Sequence, residues 1–330
     1  MPHYTVNRFN LNKHLGTPLK LIGAKTKWRD VLYEFFPEHD VYIEPFLGSG
    51  AVLIGKDQAP TEIVGDINSY VINFFNILQT QPERFWKEYT HVCKVLFKHY
   101  NDETGRKWFE ALKRQVTKTQ VPVSKAILFY FITKMCMNGI WRLNRKGECN
   151  SSYCKQISGR GLLTEQWFND VLTRIDTVQF VEADYKKLLA TAQWEARVPR
   201  HETGPYEISL VKPLKVFVFL DPPYYEVRTR YNGSEWKKEH FEELAGMLRN
   251  VNYKWLLTIN DHPFIRELFA DYPKIDVGVL YSCSQTNSGR GEKRELLIAN
   301  YPIQDIAKAV NEKQQKTTRK KTKAMGDILN

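Results

Sequence analysis

Cysteine is scarce and scattered. The five residues Cys93, Cys136, Cys149, Cys154 and Cys283 form no C-x-x-C pair, so neither a disulfide framework nor a zinc module is expected. None of them follows a proline, which excludes the Pro-Cys thiolate that methylation at a pyrimidine C5 would require. Long apolar runs are also missing. The longest runs from Ala126 to Ile132, well short of the roughly 20 residues that span a bilayer. With no apolar leader near Met1, the expectation is a soluble, cytoplasmic chain with no membrane and no metal. Internal repeats are absent, and low complexity is confined to the terminal stretch from Asn311 to Lys323.

Acidic residues are missing where basic ones gather. Residues 94–160 carry 14 Lys or Arg against 4 Asp or Glu, and residues 308–323 carry 7 against 1. The whole chain is +11, so outside these two segments it is mildly acidic. Local basic regions on an acidic body point to a polyanionic partner that meets defined surfaces. At 42% hydrophobic and 13% aromatic, the 330 residues can bury a large core.

Short β-branched runs alternate with helical patterns. Strands are expected at Val41–Ile43, up to Asp66, at Val178–Val181, Val216–Leu220 and Trp255–Ile259, with a closing hairpin of Val277–Tyr281 and Glu295–Ala299 around a polar loop. The spacing of Val71, Ile72, Phe74, Phe75, Ile77 and Leu78 predicts a helix over Asn68–Gln79. Residues 80–175 read as helical and turn-rich, with a tight turn at Lys146 and Gly147; Ala192–Leu214 reads as a surface loop. The pattern implies an α/β fold, a mostly parallel sheet with an inserted helical segment and an antiparallel hairpin at its end.

Two loops carry chemistry. In Glu44-Pro45-Phe46-Leu47-Gly48-Ser49-Gly50, the glycines let backbone approach a ligand at a helix N-terminus. Leu53 stands where a dinucleotide fingerprint would place a third glycine, so a nicotinamide cofactor is disfavoured; Asp66, closing the next strand, suits the ribose hydroxyls of an adenosine cofactor. Asp221-Pro222-Pro223-Tyr224 leaves the sheet directly after a strand, because two prolines cannot continue a central strand. A carboxylate, a Pro222 carbonyl and an aromatic ring in one small volume are the groups that hold a planar base by its exocyclic amine.

The order of these segments, with Lys20-Leu21-Ile22-Gly23-Ala24-Lys25, GDINSYVINFFNIL, MNGIWRLNRKGECN, VEADY, LLTIND and GEKRELLIANY, resembles the Dam-type (class alpha) adenine-N6 DNA methyltransferases that use S-adenosylmethionine. The resemblance implies a Rossmann-like methyltransferase sheet of residues 1–79 and 176–307, a DNA-recognition insertion of 80–175, and a basic disordered tail of 308–330. It implies cofactor contacts from Leu21, Lys25, Glu44, Pro45, Phe46, Gly48, Gly50, Asp66, Ile67, Asp184, Tyr185 and Asp221. Asp221, Pro222, Pro223 and Tyr224 would hold the target amine. Met137, Asn138, Arg142, Asn144, Arg145 and Lys146, with Arg290 and Lys293 of the final loop, would meet DNA, and Met137 or Trp141 could wedge between bases. The expected partner is double-stranded DNA, bound by a monomer in a bacterial or phage-infected cell, with restriction-modification among the roles. Cytosine N4 would fit the same turn, and a catalytically inactive DNA-binding relative is the alternative of another class. His262 reads as a satisfied loop histidine, since the chemistry needs no imidazole.

Overall fold

The computed structural model describes residues 3–5, 15–27, 29–98, 101–154, 162–197, 213–226, 236–280 and 292–309. In chain order the strands are β1 (His3–Thr5), β2 (Val41–Glu44), β3 (Thr61–Asp66), β4 (Gln179–Glu182), β5 (Val216–Leu220), β6 (Lys254–Asn260), β7 (Lys274–Leu280) and β8 (Glu292–Ala299). The helices are α1 (Arg29–Tyr33), α2 (Ala51–Gly55), α3 (Ser69–Thr80), α4 (Pro82–Phe97), α5 (Asp102–Val116), α6 (Pro122–Met135), α7 (Glu165–Ile175), α8 (Tyr185–Glu195), α9 (Lys238–Met247) and α10 (Pro263–Leu268).

The strands form one sheet in the order β1-β7-β8-β6-β5-β2-β3-β4. Every pairing is parallel except those of β8 with β6 and β7. From β2 the chain winds outward through β3 to β4, then returns to β5 on the other side of β2 and winds away through β6. The adjacent pair β2 and β5 is therefore the point where winding reverses, and in open α/β sheets ligands bind in the crevice beyond the carboxyl ends of such a pair.

Both faces of the sheet are covered, and side-chain alternation divides them. Val41 and Ile43 of β2 and Val216, Val218 and Leu220 of β5 join α8, α9 and α10 on one face. Tyr42, Phe217 and Phe219 face the other, with α3 and the helices of the insertion. Four helix starts are set by local chemistry. The side chains of Asn68, Thr164 and Asp184 each accept a backbone N–H at the start of α3, α7 and α8, and Asn101 and Thr104 form a reciprocal capping box on α5. Pro122 begins α6, whose apolar run is so thoroughly buried that Ala126, Phe129, Tyr130, Phe131 and Ile132 are all 0% exposed. The rings of Phe74 on α3 and Tyr130 on α6 stack at 6.1 Å, so the inserted helices share the core of one sheet face.

Some boundaries differ from expectation. Ala192–Glu195, assigned to a loop, complete α8, because Ala192 is fully buried against the sheet. The final hairpin strand begins at Glu292, since ladder pairing with β7 continues through polar residues that carry no apolar signal. β1 was not anticipated: it is a run of only three residues, with no apolar alternation, that pairs with β7. The basic tail lies outside the described residues apart from its first two. No described helix is long and apolar enough to cross a membrane.

The end of the insertion is tied to the sheet by a buried charge cluster. Glu62 of β3 accepts from Lys56 at 2.5 Å and from Arg174 of α7 at 2.6 Å, and Arg174 also donates to the Leu53 carbonyl at 2.7 Å. These partners hold the Glu62 carboxyl below its ordinary range despite its burial. Arg174→Ala should cost about 3 kcal/mol, the penalty for leaving a buried ion short of its partner. Urea unfolding checks it; a loss under about 1 kcal/mol would mean that this cluster does not anchor α7.

Candidate active site

The Asp221-Pro222-Pro223-Tyr224 turn and the Glu44–Gly50 loop leave the carboxyl ends of the adjacent strands β5 and β2, at the winding reversal. Gly48 and Gly50 both have positive φ, +51° and +72°. A Cβ at Gly50 would lie 2.8 Å from the Phe75 ring, while one at Gly48 would meet nothing within 4 Å. Gly50 is thus required by packing and Gly48 by its backbone angle over open space. Asp66 organises this loop: its carboxylate accepts from the Gly48 N–H and the Asn68 N–H, both at 2.8 Å, and burial raises its pKa. Beside it Ile67 is 54% exposed. Asp184 caps α8 through the Lys186 N–H, and the Tyr185 ring stacks on Phe46 at 5.5 Å with its hydroxyl donating to Glu243.

Asp221 is held by two side-chain donors. Both of its oxygens accept from Lys25 Nζ at 2.6 Å, and Oδ1 also accepts from the Thr258 hydroxyl at 2.7 Å. Lys25 is 3% exposed, donates to the Tyr224 hydroxyl at 3.1 Å and to the Gly23 carbonyl at 3.3 Å, and lies 5.1 Å from the Tyr224 ring centroid. Lys25, expected as a cofactor contact, is therefore in direct contact with the Asp221–Tyr224 turn. Two further carboxyls crowd the same volume. Glu44, buried at the end of β2 and accepting from the Tyr42 hydroxyl at 2.8 Å, is pushed up to about 8, chiefly by burial and then by the charge of Asp221. Glu295 of β8, 1% exposed, is pushed up to about 7, again chiefly by burial.

Sequence reasoning missed Thr258, Asn260 and Glu295. Asn260 clamps the turn from below, accepting from the Tyr225 N–H at 2.9 Å and donating to the Tyr225 carbonyl at 3.1 Å. The available signal was a polar residue inside an apolar strand: Thr258 and Asn260 lie two apart on β6, and Glu295 stands opposite Asn260 in the ladder. His262 is spent on the N-cap of α10, where Nδ1 accepts from the Phe264 N–H.

The basic segment supplies a second surface. After α6 the chain makes a tight turn at Met137–Gly139, with Asn138 at φ +54° and Met137 40% exposed. It then runs out and back through the bridges Cys136 to Tyr153 and Leu143 to Cys149. Arg145 and Lys146 sit exposed at its tip. Asn144 instead builds that tip: its carbonyl oxygen accepts from the N–H groups of Lys146 and Glu148, and its amide donates to the Glu148 carboxylate. Arg142 donates to Asn150 and Ser152. Trp141 is 7% exposed and packs on Tyr70 and Phe129, which leaves Met137 as the exposed apolar side chain. This turn touches the Lys25 loop, because Ile22 N–H donates to the Gly139 carbonyl at 3.2 Å and a Cβ at Gly139 would lie 2.6 Å from the Lys20 carbonyl. Lys293 falls in β8 opposite Val279, not in the loop, and Arg290 lies outside the described residues.

The family model of D12 class N6 adenine-specific DNA methyltransferases matches residues 21–283. The chain belongs to this family. The match runs from the Lys25 loop through both site turns and the basic insertion, and it makes the chain an adenine-specific DNA methyltransferase; the cytosine-N4 alternative is not favoured. It is 24% identical over 294 residues to the DNA adenine methylase of Haemophilus influenzae, covering 84% of this chain and 91% of the relative. It is 23% identical to the Escherichia coli DNA adenine methylase over 86% of this chain and 94% of the relative. The Type II methyltransferase M.MjaIII of Methanocaldococcus jannaschii is also 23% identical, over 86% of this chain and 98% of the relative. Among the described residues, no group of three or more His, Cys, Asp or Glu is arranged to hold a metal ion.

The Asn260 clamp yields a prediction for the enzyme. Asn260→Ala leaves Asp221 intact but frees the backbone at Tyr225, and should lower kcat about tenfold with little change in melting temperature. Steady-state methylation kinetics with a thermal melt checks it, and unchanged kcat would remove Asn260 from the supports of the turn.

Proposed function

We propose that this methyltransferase transfers a methyl group from S-adenosylmethionine to the N6 amine of an adenine flipped out of double-stranded DNA, at a defined sequence. The observation that carries this reading is the meeting of the Asp221 turn and the glycine loop on neighbouring strands, β5 and β2, with a buried lysine, Lys25, against the aspartate.

The cleft suits an adenosine-bearing ligand. Leu21, Lys25, Pro45, Phe46, Gly48, Gly50, Ile67, Asp184 and Tyr185 would surround it, with Glu44 and Asp221 at its inner end. Gly48 offers close backbone approach over open space, Ile67 offers exposed apolar surface for the base, and Asp66 retains acceptor capacity toward ribose hydroxyls beyond its backbone bonds. The cofactor supplies a methyl group already activated on a sulfonium, so the protein need not protonate a leaving group.

The remaining task falls to the turn. The N6 lone pair is delocalised into the purine ring and is a poor nucleophile. Asp221 and the Pro222 carbonyl, accepting from the amine hydrogens, favour the pyramidal geometry in which that lone pair attacks, while Tyr224 stacks on the ring and Pro223 fixes the turn. A base within a duplex cannot reach such a site, so it must be extruded; Met137, exposed beside the Lys25 loop, is the side chain suited to fill the gap. Residues 1–79 and 176–307 would form the catalytic part and 80–175 the recognition part. Arg145 and Lys146 would meet phosphates, with Arg142 and Asn138 nearer the bases and Asn144 shaping the tip. We further propose a monomer acting in the cytoplasm, with 308–330 adding nonspecific affinity.

Two outcomes test this reading. Asp221→Ala should abolish methylation while DNA binding is largely retained, and nucleoside mass spectrometry of wild-type product should find N6-methyladenine alone; label absent from DNA would defeat the proposal. Deleting residues 308–330 should raise the apparent Kd for DNA without altering the methylated sequence, read by modified-base sequencing; a changed sequence would assign the tail a recognition role.

A further inference from the structure

The register of the sheet sets a hydroxyl beside the carboxylate of the Asp221 turn. Leu220 of β5 pairs with Leu257 of β6, so Asp221, the next residue, leaves the sheet beside Thr258. On its other side Thr258 pairs with Leu297 of β8, and it is 0% exposed among Leu256, Leu257 and Ile259, which are equally buried. A hydroxyl in such a strand is costly unless it is used. Its short bond, 2.7 Å, goes to Asp221 Oδ1, while its contact with the Leu220 carbonyl is longer, at 3.4 Å. A carboxylate offers about four acceptor sites, two on each oxygen. Lys25 Nζ, 2.6 Å from both oxygens, takes one site on each, and Thr258 takes the second site of Oδ1. Among the described residues these are the donors that reach Asp221, so the open site lies on Oδ2, and the side chain remains 19% exposed.

We propose that Thr258 is a positioning residue for methyl transfer: by closing Oδ1 of Asp221 it directs the target amine to Oδ2 and so fixes one orientation about the C6–N6 bond. This rests on the reading of Asp221 and Pro222 as the holders of the amine. An amine with two N–H groups then meets two acceptors, Oδ2 and the Pro222 carbonyl, and its lone pair is left unengaged. With Oδ1 open, the amine would bond to either oxygen. Only one of those two placements aims the lone pair at the methyl group to be transferred. Thr258 acts through Asp221 and touches no reacting atom, so its loss is felt in the chemical step and not in binding.

The test measures kcat, KM for DNA and for S-adenosylmethionine, and the Kd for duplex DNA, on the full chain as wild type, Thr258→Val and Thr258→Ser. Thr258→Val keeps the shape and removes the donor. Its kcat should be about 10- to 100-fold lower, the range expected for one lost bond to a charged group, with both KM values and the DNA Kd largely unchanged. Thr258→Ser keeps the hydroxyl and should return most of the rate. Wild-type kcat in Thr258→Val would overturn the proposal, as would a rise in KM alone. Equal loss in Thr258→Val and Thr258→Ser would also overturn it, because packing and not the hydroxyl would then be at work. If Thr258→Val does not fold, as judged by circular dichroism, Thr258→Cys offers a weaker donor in its place. A kcat there below that of Thr258→Ser supports the proposal, and an equal one overturns it. Asp221→Ala separates the two readings. Activity in that variant defeats the amine seat and the role of Thr258 together, whereas an inactive Asp221→Ala with wild-type kcat in Thr258→Val defeats the role of Thr258 alone.

Discussion

The site depends on one ion pair, between Lys25, whose side chain is 4% exposed, and Asp221, whose side chain is 19% exposed. Asp221 lies at the end of a central strand whose residues are all buried, with Glu44 and Glu295 close by. Three ionised acids around one lysine would repel one another strongly in so poor a dielectric. Lys25 forms a short ion pair with Asp221, while burial holds Glu44 and Glu295 toward their neutral forms. Two donors, Lys25 and Thr258, converge on the aspartate.

That dependence extends outward through the Lys25 loop. The loop is held against the Met137–Gly139 turn by the bond from Ile22 to Gly139, and only a glycine fits at 139, where the angle is +70° and the Lys20 carbonyl occupies the space of a Cβ. The Met137–Gly139 turn is therefore linked through the Lys25 loop to Asp221. The Asp221–Tyr224 turn is bounded separately by Asn260, which fixes Tyr225 from the neighbouring strand. One side of the site is rigidly anchored in the sheet, and the other is mechanically joined to the part of the chain that carries the basic excess.

This division also explains what could be read from the sequence. β2, β3, β5 and β6 were legible because strands buried on both faces are nearly continuous apolar runs, and both site loops were legible because glycine and proline impose their own geometry. β1 was not, since three residues at an edge need no apolar pattern to pair. Within the site, Asp221 and Tyr224 announced themselves as neighbours in one turn. Lys25, Thr258 and Glu295 approach from 196, 37 and 74 residues away in the sequence, and only strand order brings them together. Asn144 illustrates the opposite error of emphasis: an amide in a basic turn suggests a donor to bases, yet three hydrogen bonds to Lys146 and Glu148 make it the keystone of the turn itself.

Charge thus serves two purposes that obey different rules. Inside, at Asp221 and again at Glu62, each ionised group is matched at hydrogen-bond distance, because an unmatched ion in the interior costs several kcal/mol. Residues 94–160 carry a surplus of ten positive charges by sequence, and Arg142, Arg145 and Lys146 among them are exposed, where water and salt tolerate charge at little expense. An unmatched exposed surplus attracts a polyanion over a distance comparable to the Debye length, about 8 Å at physiological ionic strength, and orients an otherwise acidic body toward it. The matched interior has no such reach. It acts only at contact, so the long-range field and the short-range bonds of the site belong to separate sets of residues, joined through the Gly139–Ile22 contact.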